Sequence, residues 1–344
     1  MKEHRVLIAL PTEKAWLDEI AALGPGVRVD VAAREYEALM PKGGVGLRPS
    51  EEKGESAERE LHDRMAGVLR DAEVLYTGLV LPDLLDRAPG LKWIHLSSHG
   101  ADHVPESVLK SNVVITTGQG GFTEAVAEHV MMLALMLAKQ APRFIRRQIA
   151  HRWDRSYSVT GLWRCTMGLV GLGSIGLRVA HLAKAFGMRV IGTRRTPIAG
   201  ALPDVDEAVS RDRLAYLLGE SDFVALVLPS TPETKNLIDE KALRAMKHAS
   251  CLINVSRGDI VDEPVLIRAL REGWIAGAAL DHFQTAPLPA DSPLWDLENV
   301  VVTPRSAGAS SHTREDTLRV FKENLERYVA GRPLLNVFDR ERGY

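Results

Sequence analysis

Between the apolar run Thr166–Val170 and the helix-patterned stretch LRVAHLAKAF stand Gly171-Leu172-Gly173-Ser174-Ile175-Gly176. Glycines at this spacing, set between a strand and a helix, form a cradle for a dinucleotide's phosphates. Gly171 permits the tight turn, Gly173 lets the backbone approach a pyrophosphate, and Gly176 lets helix and strand pack closely. Ser174 and Ile175 open the helix, whose first amide N–H groups and positive dipole end favour an anion. The next strand runs to Gly192, and its end should carry an acidic residue for the ribose hydroxyls of NAD. Thr193-Arg194-Arg195 stand there instead. Two guanidinium forks match the oxygens of a 2′-phosphate. These residues predict NADP(H) binding, with NAD as the second choice.

The elements that must position this cradle read as an α/β chain. Apolar runs at Arg5–Leu10, Val27–Ala32, Glu73–Thr77, Leu91–Ser97 and Val113–Thr116 alternate with helical patterns at Thr12–Leu23, Ala57–Arg70 and Leu81–Ala88. A second series follows: Thr166–Val170, Met188–Gly192, Asp222–Leu228, Ser250–Val255, Ile275–Leu280 and Val300–Thr303. Such alternation builds parallel sheets covered by helices. The stretch Pro41–Ser56, dense in glycine, proline and charge, reads as a surface loop. A helix from Thr123 to Gln140 is apolar on nearly every side, so another domain or a second subunit should cover it. An amphipathic helix from Ser310 to Ala330 ends at Gly331-Arg332-Pro333 and is expected to return to the first sheet.

The length of 344 residues fits about two domains. The two strand series predict two doubly wound, Rossmann-like α/β domains, with the last helix returning toward the first sheet. Residues 1–118 and 311–344 would form one, and residues 119–310, which hold the glycine motif, the dinucleotide-binding domain. Forty-three Lys and Arg against 45 Asp and Glu leave a net charge of -2, so no basic excess favours nucleic acid. The longest apolar run, Val130–Ala138, is less than half of the roughly 20 residues that span a bilayer. The opening MKEHRVLIAL reads as a strand rather than a secretory leader. Cys165 and Cys251 each flank apolar runs and read as free buried thiols, and no cluster has metal-ligand spacing. A cytoplasmic location follows as an expectation.

Several motifs together carry a family resemblance. From about Leu91 onward, LKWIHLSSHGADHV, GFTEAVAEHVMMLAL, GLVGLGSIG, LVLPSTPETKNLID, INVSRGDIVDEPVLIRAL, GWIAGAALDHF and PLWDLENVVVTP occur in order. The chain resembles the D-isomer-specific 2-hydroxyacid dehydrogenases, which include glyoxylate/hydroxypyruvate reductases and phosphoglycerate dehydrogenases. The resemblance implies hydride transfer between a nicotinamide cofactor and a small 2-keto or 2-hydroxy acid. It also implies that the first domain is a flavodoxin-like substrate domain, that the active site lies in the cleft between the two domains, and that the protein is a homodimer with the region from about Thr123 to Leu162 in the interface.

Residue by residue, the resemblance places Arg257 of NVSRGDIVD at the substrate carboxylate and carbonyl. Pro229, Ser230 and Asp281 fall in the nicotinamide pocket. The family's acid/base pair is replaced. Its glutamate position, before a proline, holds Ala286, and its histidine position, after Thr303-Pro304, holds Arg305. Arginine keeps its proton at neutral pH and is a poor general acid, though it stabilises developing negative charge. Arg257 and Arg305 would together suit a substrate with two acidic groups. His99, in the loop after a substrate-domain strand, is the candidate proton donor. His282 should point away from Asp281 by strand alternation, and His103 reads as structural. Two alternatives remain at this stage: different chemistry on the same frame, or a dinucleotide-responsive regulatory protein without turnover.

Overall fold

The structure is a computed structural model that describes residues 3–39, 65–195 and 200–343. The surface loop expected over residues 41–56 lies outside the described residues. The chain forms two compact units, Met1–Gly121 with Arg314–Tyr344, and Phe122–Thr313.

In the first unit, β1 (His4–Ile8), β2 (Val27–Val31), β3 (Val74–Thr77), β4 (Trp93–Leu96) and β5 (Val114–Thr117) form one sheet in the order β2-β1-β3-β4-β5. Every pairing is parallel, and this is the flavodoxin-like strand order. The strands read as unbroken apolar runs because both faces are covered. On one face the C-terminal helix, Thr313–Val329, buries Leu318, Phe321 and Leu325 against Val6, Ile8, Ile20, Val74, Tyr76 and Trp93. Phe321 stacks on Tyr76 with ring centroids 4.5 Å apart, a contact that adds to the area both rings bury. His95 sits in the same aromatic layer without exposure, and burial pushes its imidazole down to about 3. That histidine is a neutral core residue.

The second unit holds β6 (Thr166–Val170), β7 (Arg189–Arg194), β8 (Glu207–Ser210), β9 (Phe223–Leu226), β10 (Cys251–Asn254), β11 (Gly277–Leu280) and β12 (Val300–Val302). Their order is β12-β11-β10-β9-β6-β7-β8, again parallel throughout. The strand order reverses at β6, which lies between β7 and β9. Ligands of open parallel sheets bind at the carboxyl edge beside such a reversal. Both units are therefore doubly wound α/β, the fold class expected from the alternating pattern.

Three elements depart from expectation. β8 was not foreseen, because EAVS buries only Val209 and a single inward side chain makes no detectable alternation. The long helix stops at Ala138 rather than Gln140. Gln140 adopts a left-handed conformation, φ 52°, and a second helix starts at Ala141 with a proline in its first turn. The 123–138 helix is also covered chiefly by its own unit. Val126, Ala127, Val130, Leu133 and Ala134 pack with Val179, Ala180, Ala183 and the sheet residues Ile253, Ala279 and Val301. Among its large side chains Met132 stays open, at 40% exposure. No helix of the described residues is long and apolar enough to cross a membrane.

Candidate active site

The carboxyl edge of the second sheet collects the loops that carry the candidate residues. The turn after β6 comes first. Gly171 has φ 117°, which an L side chain rarely adopts, and a β-carbon there would strike the Val227 carbonyl. A β-carbon at Gly176 would meet the carbonyl oxygen of Gly171, so glycine is required for the helix to lie this close. Gly173 differs: a β-carbon there would meet nothing within 4 Å, leaving open space before the helix Ser174–Ala185. The Ser174 Oγ is buried and has no hydrogen-bond partner among the described residues. A clear approach, a row of first-turn amides and an unpaired hydroxyl fit a pyrophosphate.

β7 extends to Arg194, two residues beyond the expected end, and Arg194 pairs in register with Ser210 of β8. Thr193 is buried, whereas Arg194 and Arg195 are exposed at the sheet's edge. After β9, the turn at Pro229 is tied down by Thr234, whose hydroxyl donates to the Pro229 carbonyl at 2.9 Å. Ser230 donates to Asp259 at 2.7 Å, which links this turn to the loop after β10.

That loop presents Arg257. Asn254 at the end of β10 donates to the Arg257 carbonyl at 2.9 Å and accepts from the Ser256 amide at 3.0 Å. Ser256 in turn donates to the Leu226 carbonyl at 2.6 Å. Next to it, Gly258 packs so tightly that a β-carbon would overlap the Phe283 carbonyl. The backbone on both sides of Arg257 is thus fixed, and its partly exposed guanidinium is held as well, with Nη1 donating to the Ser256 carbonyl at 2.9 Å. A fixed guanidinium can hold a carboxylate bidentately and polarise an adjacent carbonyl.

Asp281, directly after β11, is 1% exposed and fully occupied. The Thr303 hydroxyl donates to Oδ1 at 2.7 Å, the Ser306 amide to Oδ1 at 2.8 Å and the Ala307 amide to Oδ2 at 3.1 Å. His129, from the 123–138 helix, brings its Nε2 to 3.2 Å from Thr303 Oγ1 and 3.7 Å from Asp281 Oδ1. Burial lowers the pKa of His129, and the Asp281 charge works the other way. The carboxylate therefore organises the whole 303–307 loop. Arg305 rides on that loop, exposed, in the left-handed region at φ 57°, with its amide donating to the Thr303 carbonyl at 3.1 Å. Ala286 is exposed and carries no polar group for any partner.

His282 corrects an expectation. Its Nε2 lies 3.9 Å from Asp281 Oδ2, because β11 ends at Leu280 and strict alternation no longer governs the two side chains. His99 belongs to the first unit, exposed in the loop after β4. There Ser98 Oγ donates to the Gly100 carbonyl at 2.7 Å and the Gly118 amide donates to the Ser98 carbonyl at 2.8 Å. Arg257, Asp281 and Arg305 leave the ends of β10, β11 and β12, which are adjacent in the sheet. Sequence reasoning missed His129 and Thr303. The one signal was a histidine that, with Glu128, interrupts the largely apolar stretch VAEHVMMLAL.

A seven-stranded Rossmann sheet, with a phosphate cradle at its reversal point and arginines along the same edge, defines a dinucleotide-dependent enzyme. The family model for the D-isomer specific 2-hydroxyacid dehydrogenase NAD binding domain matches residues 131–307. The glyoxylate reductase of Aeropyrum pernix is 35% identical over 297 residues, spanning 81% of this chain and 87% of that protein. That of Thermofilum pendens is 37% identical over 279 residues, spanning 76% and 80%. Among solved structures, a D-isomer specific 2-hydroxyacid dehydrogenase from Xanthobacter autotrophicus, in complex with NADPH and MES, superposes with a TM-score of 0.77 at 28% identity. That match covers 99% of this chain and all of the other. An NADPH-dependent glyoxylate/hydroxypyruvate reductase from Sinorhizobium meliloti, in complex with NADP and sulfate, gives 0.77 at 25% identity, with the same coverage. The chain belongs to the D-isomer specific 2-hydroxyacid dehydrogenase family. It is an oxidoreductase that uses a nicotinamide dinucleotide, NAD or NADP, to interconvert 2-keto and 2-hydroxy acids.

Proposed function

We propose that this enzyme reduces a small 2-keto acid, with glyoxylate as the first candidate, and prefers NADPH. The observation that carries the preference is Arg194-Arg195 at the end of β7, where an NAD enzyme needs a carboxylate. The bound cofactor supplies the hydride. Arg257 holds the substrate carboxylate and polarises the carbonyl, and Asp281 fixes the loop that presents Arg305. Arg305 stabilises the developing alkoxide, since its guanidinium remains charged throughout. His99 delivers the proton that the family's histidine would otherwise provide.

Two measurements test this reading. Fluorescence titration should give a lower Kd for NADPH than for NADH, and Arg194→Asp should reverse or erase the difference. Equal affinities in the parent, unchanged in the variant, would refute the preference. A side-chain proton donor imposes its own pH–rate profile on the reduction. His99→Ala should flatten this pH–rate profile, and a variant with full rate and unchanged pH dependence would exclude His99.

The enzyme acts as a homodimer on the same proposal. Beyond Met132, the 141–149 helix and the segment after it expose Ile149 at 75%, Trp153 at 93% and Trp163 at 63%. Arg143 binds this segment back through Asp154 and the Ser156 carbonyl, and Phe144 meets Tyr157 edge to face. Several large apolar side chains left open on neighbouring stretches of chain suit a covered surface, and a second copy is the partner that the family resemblance supplies. Light scattering should give about twice the 37.8 kDa chain mass, and a 37.8 kDa particle at micromolar concentration would overturn the dimer. The cytoplasm suits two cysteines that are both free, with burial pushing the Cys251 thiol up to about 12.

A further inference from the structure

β8 brings a residue to the cofactor edge that the dinucleotide motif does not include. Arg194 lies opposite Ser210 in the parallel register, so Arg211, the next residue of β8's chain, emerges beside Arg195. The Arg211 guanidinium binds Glu233 twice: Nη1 lies 3.0 Å from Oε2, and Nη2 donates to the backbone carbonyl. Arg195 Nη1 lies 4.0 Å from the same Oε2. Two guanidiniums from neighbouring strand ends therefore converge on one carboxylate oxygen. Arg213, two residues on, is turned elsewhere, 3.7 Å from Glu207 and over the Tyr216 ring.

We infer that Arg211 is the third guanidinium of the 2′-phosphate site and that Glu233 occupies the anion position as an internal stand-in. The inference rests on the NADPH reading of Arg194 and Arg195, and it adds a residue from a different strand and a competing charge. A phosphate and a carboxylate present the same kind of oxygen to a guanidinium fork. Glu233 is 60% exposed, so its side chain can swing into solvent as a phosphate arrives. Its negative charge would still oppose the incoming dianion. Glu233 thus holds Arg211 in place before binding and moderates affinity for the phosphorylated cofactor.

Adenosine 2′,5′-bisphosphate and adenosine 5′-monophosphate separate the 2′-phosphate from the rest of the cofactor. Calorimetric titration of the full chain should show the bisphosphate binding more tightly. Arg211→Ala should weaken the bisphosphate about tenfold or more, leaving the monophosphate within about twofold. Glu233→Gln keeps a hydrogen-bond acceptor for Arg211 but removes the charge, so it should tighten the bisphosphate about threefold without changing the monophosphate. If Arg194→Asp abolishes the preference while Arg211→Ala and Glu233→Gln leave it intact, the inference is wrong and the NADPH reading stands. If the parent binds both ligands equally, both fail.

Discussion

Replacing Arg257 with alanine should remove keto-acid reduction almost completely, with kcat/KM falling about 10³-fold or more. The residue is asked to do two things: hold the substrate carboxylate and polarise the carbonyl as hydride arrives. Losing one preorganised donor of this kind costs about 10²–10³-fold, and losing the carboxylate clamp adds to it. NADPH affinity should stay within about twofold, since the cradle at Gly171–Gly176 is built on β6 and Arg257 on β10. The neighbouring pins, Asn254 and Ser256, bond the backbone and remain in the variant. A variant with normal turnover would take Arg257 out of the site.

Arg305→Ala should slow turnover about hundredfold, the effect of deleting a single charge-stabilising donor. The substitution is clean in one respect. Position 305 is left-handed, and alanine carries the same β-carbon, so the backbone bears the same steric load before and after. Ser306 and Ala307 still donate their amides to Asp281, keeping the loop in place. Arg305→Lys retains the charge but not the planar fork and should recover only part of the rate. An unchanged rate in Arg305→Ala would mean a solvated arginine on a surface loop.

The dinucleotide cradle was legible in the sequence because its glycines are forced locally. Gly171 and Gly176 sit where any β-carbon collides with backbone, so the residue type itself records the geometry. Arg194 and Arg195 stand out in the sequence by their fixed offset, one strand away from the cradle, and their role toward a 2′-phosphate is the reading proposed above. The surroundings of Asp281 were not. Its partners come from residues 129, 303, 306 and 307, on a helix and a loop that only the sheet order brings together. β8, which leads the chain to Arg211, is a strand too short to show alternation. The covering of the 123–138 helix illustrates a different limit. An apolar helix announces that it is buried, but the pattern does not say by what, and here the answer is mainly its own sheet and the Ser174–Ala185 helix. His282 shows where a periodicity argument ends, two residues past the last paired strand residue.

The central claim is turnover: a member of this family whose glutamate and histidine positions hold Ala286 and Arg305 still transfers hydride to a 2-keto acid. The most direct measurement is the loss of NADPH absorbance when purified enzyme meets glyoxylate, hydroxypyruvate or pyruvate, with the product identified by chiral chromatography. The account predicts NADPH consumption in step with 2-hydroxy acid formation, the D isomer where the product is chiral. Tight NADPH binding with no oxidation by any 2-keto acid would contradict it.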